Sequence, residues 1–179
     1  IKEVLNLYAD PAQLSSHDKM KLCFTYDNMT FTNICKCSKG FDSVFKLIGI
    51  DKLRSLGLQS DNIDMINAII EMIINYVGNN KDNVKADKHA VDFLTIANKG
   101  LTSPDKNGNV FSKGLKLIGM VYNDELHSTT IETFNIVEHI NSVFPLYKND
   151  IDFLMNCIYT LAIISLNNTA ISTHIVDSG

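Results

Sequence analysis

The sequence contains a segment that returns after 88 residues, and this internal repeat limits the folds that the chain can adopt. Asn62–Asn80 (NIDMINAIIEMIINYVGNN) aligns without a gap with Asp150–Asn168 (DIDFLMNCIYTLAIISLNN). Five of the nineteen positions are identical, and six of the others exchange one apolar residue for another. A third copy, Lys106–Asp124 (KNGNVFSKGLKLIGMVYND), lies half-way between them, 44 residues from each. Periods of about 40 to 47 residues are typical of stacked helical units that bury their apolar faces against one another.

Each copy predicts a long buried helix, because its apolar residues recur at three- and four-residue spacing and no proline interrupts it. The same spacing predicts two further helices between the copies, near Asp87–Lys99 and Thr129–Phe144. Ser103–Gly108 and Pro145–Asp150 are then the turns that lead into the following long helices. Met20–Thr32 is predicted to be the corresponding long helix of an earlier unit.

Nearly the whole chain, most clearly from Gly40 onward, resembles an armadillo solenoid. Asn149–Gly179 has the order of that family: a third helix, a short polar break, and a brief helix that ends in glycine. In armadillo proteins a small residue at this turn leads the chain sharply into the second helix of the next repeat, and Gly179 and Gly40 match it. The resemblance implies an all-α, right-handed armadillo/HEAT-like helical solenoid of about four repeats. The two middle repeats have no glycine at the turn, so armadillo and HEAT both remain open there.

The repeat also divides the chain. We expect a partial repeat at 1–39, repeats at about 40–78, 79–122 and 123–166, and the start of another repeat at 167–179. The sequence begins at Ile1 without an initiator methionine or a signal sequence, so we interpret it as a segment of a longer protein. The longest apolar stretch, Ile151–Leu166, is shorter than the roughly 20 residues of a membrane span and contains a charged residue. No membrane span is therefore predicted.

Composition argues against nucleic acid as a partner. The net charge is −4, and Arg54 is the only arginine among sixteen basic residues, whereas nucleic-acid binders need a basic surface to neutralise phosphates. Of the four cysteines, Cys35 and Cys37 form one pair without a second pair at zinc-ligand spacing. These thiols are expected to be reduced, and we predict a cytoplasmic location.

Two short motifs resemble ligand sites but lack the residues that binding requires. Gly114–Gly119 has the glycine spacing of a phosphate loop, yet Met120 and Val121 follow where lysine and serine or threonine are needed. Asp105–Asn109 resembles the start of a calcium loop, but the required glycine and glutamate are missing farther along. The first motif is therefore predicted to be helix core and the second a polar turn.

The remaining titratable residues point to structural roles. The carboxylates near residues 61–64 and 150–152 are predicted to lie at helix starts, where they cap free amides and favour the helix dipole. None of the five histidines belongs to an HExxH motif. A Cys–His pair that meets only in space stays open. We predict no catalytic residue, no metal and no cofactor, and hence no enzyme.

The resemblance further implies where a partner would bind. In armadillo proteins the third helices line a concave groove that holds extended peptides or partner proteins. The nuclear-import adaptors use a tryptophan there, with an asparagine four residues later. The matching pairs in this chain are Glu71/Asn75, Leu115/Gly119 and Tyr159/Ile163. One asparagine and no tryptophan remain, which argues against binding of nuclear-import signals. The partner-binding candidates are Glu71, Asn75, Lys116 and Tyr159; the alternative is that they form ordinary solvated helix surface.

Two functions follow as expectations. The first is a non-enzymatic scaffold that binds a protein or peptide along the concave face. The composition, typical of AT-rich genomes, and the solenoid character are similar to the glideosome-associated connectors of apicomplexan parasites. That resemblance implies actin binding and a cytoskeletal filament as partner through the longer protein. The second is a structural spacer within a large trafficking or transport protein.

Overall fold

A computed structural model of the protein describes residues 49–79, 89–103 and 107–178. Within these ranges the chain forms helices and no strand, so the all-α class predicted from the repeat is confirmed there. The helices are α1 Ile50–Gln59, α2 Ile63–Asn79, α3 Ala90–Leu101, α4 Gly108–Val121, α5 Asp124–Glu132, α6 Ile136–Tyr147, α7 Ile151–Ser165 and α8 Thr169–Asp177. None of them combines the length and apolarity needed to cross a membrane.

The chain divides into two compact units, Ile1–Leu56 and Gly57–Gly179. The predicted repeat at 1–39, the predicted helix Met20–Thr32, and the turn residues Gly40 and Gly179 lie outside the described residues. Apart from Gly49 and the pair of Arg54 with Asp51, which lie in the first unit, the relationships below concern the second unit.

The three long helices predicted from the sequence copies are confirmed as α2, α4 and α7. They begin at Ile63, Gly108 and Ile151, so the steps between them are 45 and 43 residues. Each packs on the next, α2 against α4 and α4 against α7. Helices that are distant in sequence are therefore neighbours in space, in the order of the repeats.

The core lies where α3 packs against both α2 and α4. A methyl group on Gly114 of α4 would stand 2.9 Å from the carbonyl oxygen of Ala97 in α3, so the two backbones approach closely. Full burial of a Leu, Ile or Phe side chain contributes about 1.5–3 kcal/mol. The side chains that supply most of this stabilisation are fully buried, namely Ile69, Ile70, Met72, Ile73, Phe93, Leu94, Ile96, Phe111, Leu115 and Ile118.

The prediction of one helix over Thr129–Phe144 is wrong, because the chain breaks between α5 and α6. Thr133 donates its hydroxyl to the carbonyl of Thr130 at 2.7 Å, and Asn135 then takes a left-handed conformation with φ 49° and ψ 45°. Asparagine tolerates this region better than most residues, because its short polar side chain adapts to it. Gly49, with φ 71°, likewise stands immediately before a helix, α1. A left-handed residue thus precedes α1 and α6.

The predicted turn Pro145–Asp150 is also partly wrong. Pro145 lies inside α6, which continues to Tyr147, and the turn is confined to the next three residues. A proline in the last turn removes a single backbone donor, and the helix continues for only two residues beyond it. Asp150 then begins α7 as its N-cap, since its carboxylate accepts a hydrogen bond from the Phe153 N–H at 3.0 Å. This confirms the predicted capping role of Asp150.

A candidate binding surface on the long helices

Polar side chains join each long helix to the next at equivalent positions. Lys113, the sixth residue of α4, donates to Asn67 Oδ1 at 3.1 Å, and Asn67 is the fifth residue of α2. Asn156, the sixth residue of α7, donates to Ser112 Oγ at 2.8 Å, and Ser112 is the fifth residue of α4. The same junction therefore occurs twice, between partners that are 46 and 44 residues apart in sequence. We call these four residues, together with Glu71, the polar face.

An ion pair strengthens the first of these junctions. Lys113 Nζ lies 2.7 Å from Glu71 Oε2, and the two side chains are 23% and 17% exposed. Such partial burial makes the pair less screened than a surface pair and makes each charge dependent on the other. The carboxylate of Glu71 is thus engaged within the fold.

Three of the four predicted binding residues occupy the same position in successive helices. Glu71, Lys116 and Tyr159 are the ninth residues of α2, α4 and α7. Glu71 is half-buried in its ion pair, Lys116 is exposed, and the Tyr159 side chain is half-exposed. Asn75, also half-buried, follows Glu71 by one helical turn.

The alignment of the sequence copies paired Glu71 with Leu115, and the structure differs by one residue at α4. Leu115 is fully buried, and its carbonyl accepts a hydrogen bond at 2.8 Å from the hydroxyl of Thr160, which is itself fully buried in α7. Lys116 takes the equivalent position because α4 begins 45 residues after α2 instead of 44. The difference arises from the lengths of the connecting segments, which the copies do not share.

Tyr159 is positioned by the glycine opposite it. A methyl group on Gly119 would stand 2.8 Å from Tyr159 Cε1, so the tyrosine ring lies directly on the surface of α4. The ring therefore bridges α7 and α4 while half of the side chain remains exposed. An aromatic side chain held in this way loses little further conformational freedom when a partner contacts it.

Sequence reasoning missed most of the polar face as a unit. Asn67, Ser112, Lys113 and Asn156 are not among the binding residues predicted from the sequence. The available signal was their spacing, since Asn67 and Ser112 are 45 residues apart and Lys113 and Asn156 are 43 residues apart, close to the period of the repeat. Pairing the fifth residue of one copy with the sixth of the next required knowledge of which helix faces meet.

The described titratable groups show no activated nucleophile. Burial raises the pKa of the Cys157 thiol to about 12, opposite to the change that makes a thiol reactive. Burial also lowers the pKa of His127, whose Nδ1 accepts the Asn123 N–H at 3.0 Å. Burial together with a 2.8 Å hydrogen bond to Asp124 raises the pKa of Tyr122. Neutral forms of these three groups are therefore favoured.

Metal ligands and known relatives give no further assignment. Within the part of the chain that the structure describes, His, Cys, Asp and Glu side chains form no group of three or more that could hold a metal ion. The close pair of His174 Nε2 and Glu138 Oε1, 3.0 Å apart, is solvent-exposed and joins α8 to α6. We find no protein-family model that matches the sequence, and neither a curated protein nor a solved structure with significant similarity to it.

Proposed function

We propose that this chain is part of an armadillo-type helical solenoid that binds an extended peptide or a segment of a partner protein across its long helices. The observation that carries the proposal is the repeated junction between the fifth and sixth positions of successive long helices. A junction that recurs after one repeat is the contact expected of stacked units, because each unit buries its apolar face under the next.

The order of helices favours the armadillo type over HEAT. α5, α6 and α7 follow one another as a short helix, a second helix and a long third helix. The turn between the first two, where armadillo repeats usually place glycine, contains Asn135 in the left-handed conformation. A three-helix unit with a left-handed residue at this turn agrees with the armadillo pattern, whereas HEAT units generally have two helices.

The polar face offers the chemistry that an extended peptide needs. The backbone of an extended peptide carries N–H and C=O groups that lose water on binding and require partners. Side-chain amides supply both a donor and an acceptor, and Asn67 and Asn156 each use one of these groups within the fold. Exposed Lys116 favours an acidic residue in the ligand, and half-exposed Tyr159 supplies an aromatic anchor.

One observation favours the second candidate, a structural spacer. The Lys113 ammonium is already bound by both Glu71 and Asn67, so these side chains stabilise the stack without any partner. A spacer needs nothing more of the surface. The two functions therefore differ in whether a partner is lost when the exposed residues of the same helices, Lys116 and Tyr159, are changed.

Capture of partners by chemical crosslinking tests this. Tyr159→Ala and Lys116→Glu are suitable changes because they leave the Lys113 junction intact, whereas Glu71→Lys would place two like charges against each other. Lys148→Glu, in the exposed turn after α6, is the matched control. We expect the first two variants to lose a crosslinked protein that both the wild type and Lys148→Glu retain, with crosslinks mapped to α4 and α7.

Because the chain resembles actin-linking connectors, filamentous actin is a defined binding partner with which the same variants can be tested. Co-sedimentation with filamentous actin compares wild type, Tyr159→Ala, Lys116→Glu and Lys148→Glu under identical conditions. Binding that is lost only in the first two variants supports a cytoskeletal scaffold. An identical set of crosslinked proteins and identical sedimentation for all four chains would leave the spacer as the function.

A further inference from the structure

The start of α4 contains a pair of residues that can react with each other. Asn107 precedes Gly108, and this is the only asparagine followed by glycine in the chain. A glycine nitrogen attacks the preceding side-chain amide readily, because glycine has no side chain to hinder the approach. The bond that forms joins Gly108 N to Asn107 Cγ, and the bond that breaks joins Cγ to Nδ2. Ammonia leaves with the proton of the Gly108 N–H, and a five-membered imide remains.

Packing and capping hold this pair in place. A methyl group on Gly108 would stand 2.5 Å from Tyr147 Cε1, and the Tyr147 ring lies against the fully buried ring of Phe153, with centroids 5.6 Å apart. A residue with a side chain therefore has no room at position 108. Asn107 is exposed and caps α4, since its Oδ1 accepts a hydrogen bond from the Asn109 N–H at 3.1 Å. Serine or aspartate would cap the helix equally well, but neither has the amide that reacts.

The folded backbone keeps the two reacting atoms apart. Ring closure requires the Gly108 nitrogen to lie on the same side of the Asn107 Cα–C bond as Cβ, whereas with ψ 107° it lies on the opposite side. The rotation that would bring the nitrogen round also turns the Asn107 carbonyl away from the Phe111 N–H. That N–H donates to the carbonyl at 2.9 Å, so the imide forms only when the first turn of α4 opens.

We propose that Asn107 is a deamidation site that folding of α4 keeps closed, and that one of its two products prevents the first turn from closing again. Water opens the imide at either carbonyl carbon. Cleavage of the bond between Cγ and the Gly108 nitrogen leaves an aspartate, whose carboxylate still caps the helix and favours its dipole. Cleavage at the main-chain carbonyl leaves an isoaspartate. The backbone then runs through Cγ and is one carbon longer, so the carbonyl that accepts from Phe111 is displaced. This inference is independent of the proposed peptide binding.

Peptide mapping by mass spectrometry tests the proposal on the full chain. Conversion of Asn107 is followed at mildly alkaline pH, in native buffer and in guanidinium chloride, and enzymatic methylation of isoaspartate distinguishes the two products. Asn107→Ser is the control, because it retains a cap and lacks the amide. Hydrogen exchange of the Phe111 amide in the native chain measures the opening of the first turn independently. Chromatography separates the isoaspartate form, and Asn107→Asp represents the other product.

We expect conversion of Asn107 to be at least about tenfold slower in the native chain than in guanidinium chloride, and the slowing to match the exchange protection of the Phe111 amide, because one opening controls both reactions. The isoaspartate form should lose that protection, whereas Asn107→Asp should retain it. Three results would overturn the proposal: equal conversion rates in the native and denatured chains, an intact Asn107 in denaturant while other asparagines convert, and unchanged Phe111 protection in the isoaspartate form.

Discussion

The ring of Tyr159 lies directly on Gly119, so α7 and α4 meet at a position where an added carbon atom has no room. The distance from a Cβ built on Gly119 to Tyr159 Cε1 is 2.8 Å, shorter than van der Waals contact. Gly114 lies five residues earlier in α4 and faces backbone instead of a side chain. A Cβ added to Gly114 would stand 2.9 Å from the backbone oxygen of Ala97. The neighbour of Gly119 is a half-exposed side chain, whereas the neighbour of Gly114 is fixed backbone.

The two glycines should therefore respond differently to alanine. Alanine favours a helix over glycine by about 1 kcal/mol, and overpacking costs about 1–3 kcal/mol. We expect Gly119→Ala to change the free energy of unfolding little, because the Tyr159 ring can move outward. Gly114→Ala should destabilise by about 1–3 kcal/mol, because the Ala97 carbonyl cannot move. Urea unfolding measures both.

Gly78→Ala is the matched control for these two substitutions. The nearest atom to a Cβ on Gly78 is Met120 Cε at 4.0 Å, so there is no clash and the substitution should be neutral or stabilising. A Gly114→Ala chain as stable as the Gly119→Ala chain would contradict the close approach of α3 and α4.

The ion pair between Lys113 and Glu71 should contribute a measurable coupling energy. We expect the variants Lys113→Met and Glu71→Gln to give a double-mutant coupling of about 1 kcal/mol, near the upper limit for exposed pairs, because both side chains are mostly buried. Raising the salt concentration should reduce the coupling only partly. Additive effects of the two substitutions would show that the pair contributes nothing. The pair Arg54 and Asp51, 3.8 Å apart with the aspartate largely exposed, is the comparison expected to show little coupling.

Stability should fall on mild acidification through His127. Burial lowers the pKa of His127 from its ordinary value of 6.5, so the unfolded chain takes up a proton at higher pH than the folded chain does. The contribution of His127 is therefore fully present above pH 6.5 and is lost as the pH falls from there toward the folded pKa. Protonation also ends the hydrogen bond that Nδ1 accepts from the Asn123 N–H.

The measurement is urea unfolding at about pH 8 and about pH 5.5, compared with His127→Gln, whose amide oxygen can accept the same bond without titrating. We expect the wild type to lose more stability than the variant over this range. Equal losses would mean that the imidazole of His127 is not buried in its neutral form.

The thiol of Cys157 should be unreactive in the folded protein. It is 4% exposed, and burial raises its pKa to about 12, so little thiolate is present near neutral pH. We expect iodoacetamide to label the peptide that contains Cys157 only after addition of urea, as measured by mass spectrometry. Labelling at the same rate in the native protein would contradict the packing of α7 on α4.

The positions of the long helices were predictable from sequence, whereas the break before α6 was not. The apolar spacing of α2, α4 and α7 is local and repeats, so it identifies helices without knowledge of their neighbours. Between Thr129 and Phe144 the same spacing continues through the break. A single backbone conformation at Asn135 separates the two helices, and asparagine occurs in helices as well as in left-handed turns.

The candidate site was predictable only in part, because the sequence repeat gives positions along each helix but not the contacts between helices. Glu71, Lys116 and Tyr159 follow from the repeat, within one residue of register at α4. The engagement of Glu71 by Lys113 could not be read from the repeat, because the two residues are 42 positions apart and meet only when α2 packs on α4.

The sequence alone determined that the chain contains recurring amphipathic helices, since helix formation and apolar periodicity depend on residues within a few turns of each other. The tertiary structure decided which surfaces are used. It covers Leu115 and leaves Ile158 exposed at the equivalent position of the next long helix. Two leucine-sized apolar residues in equivalent places differ in exposure only because one helix has a following helix packed on it.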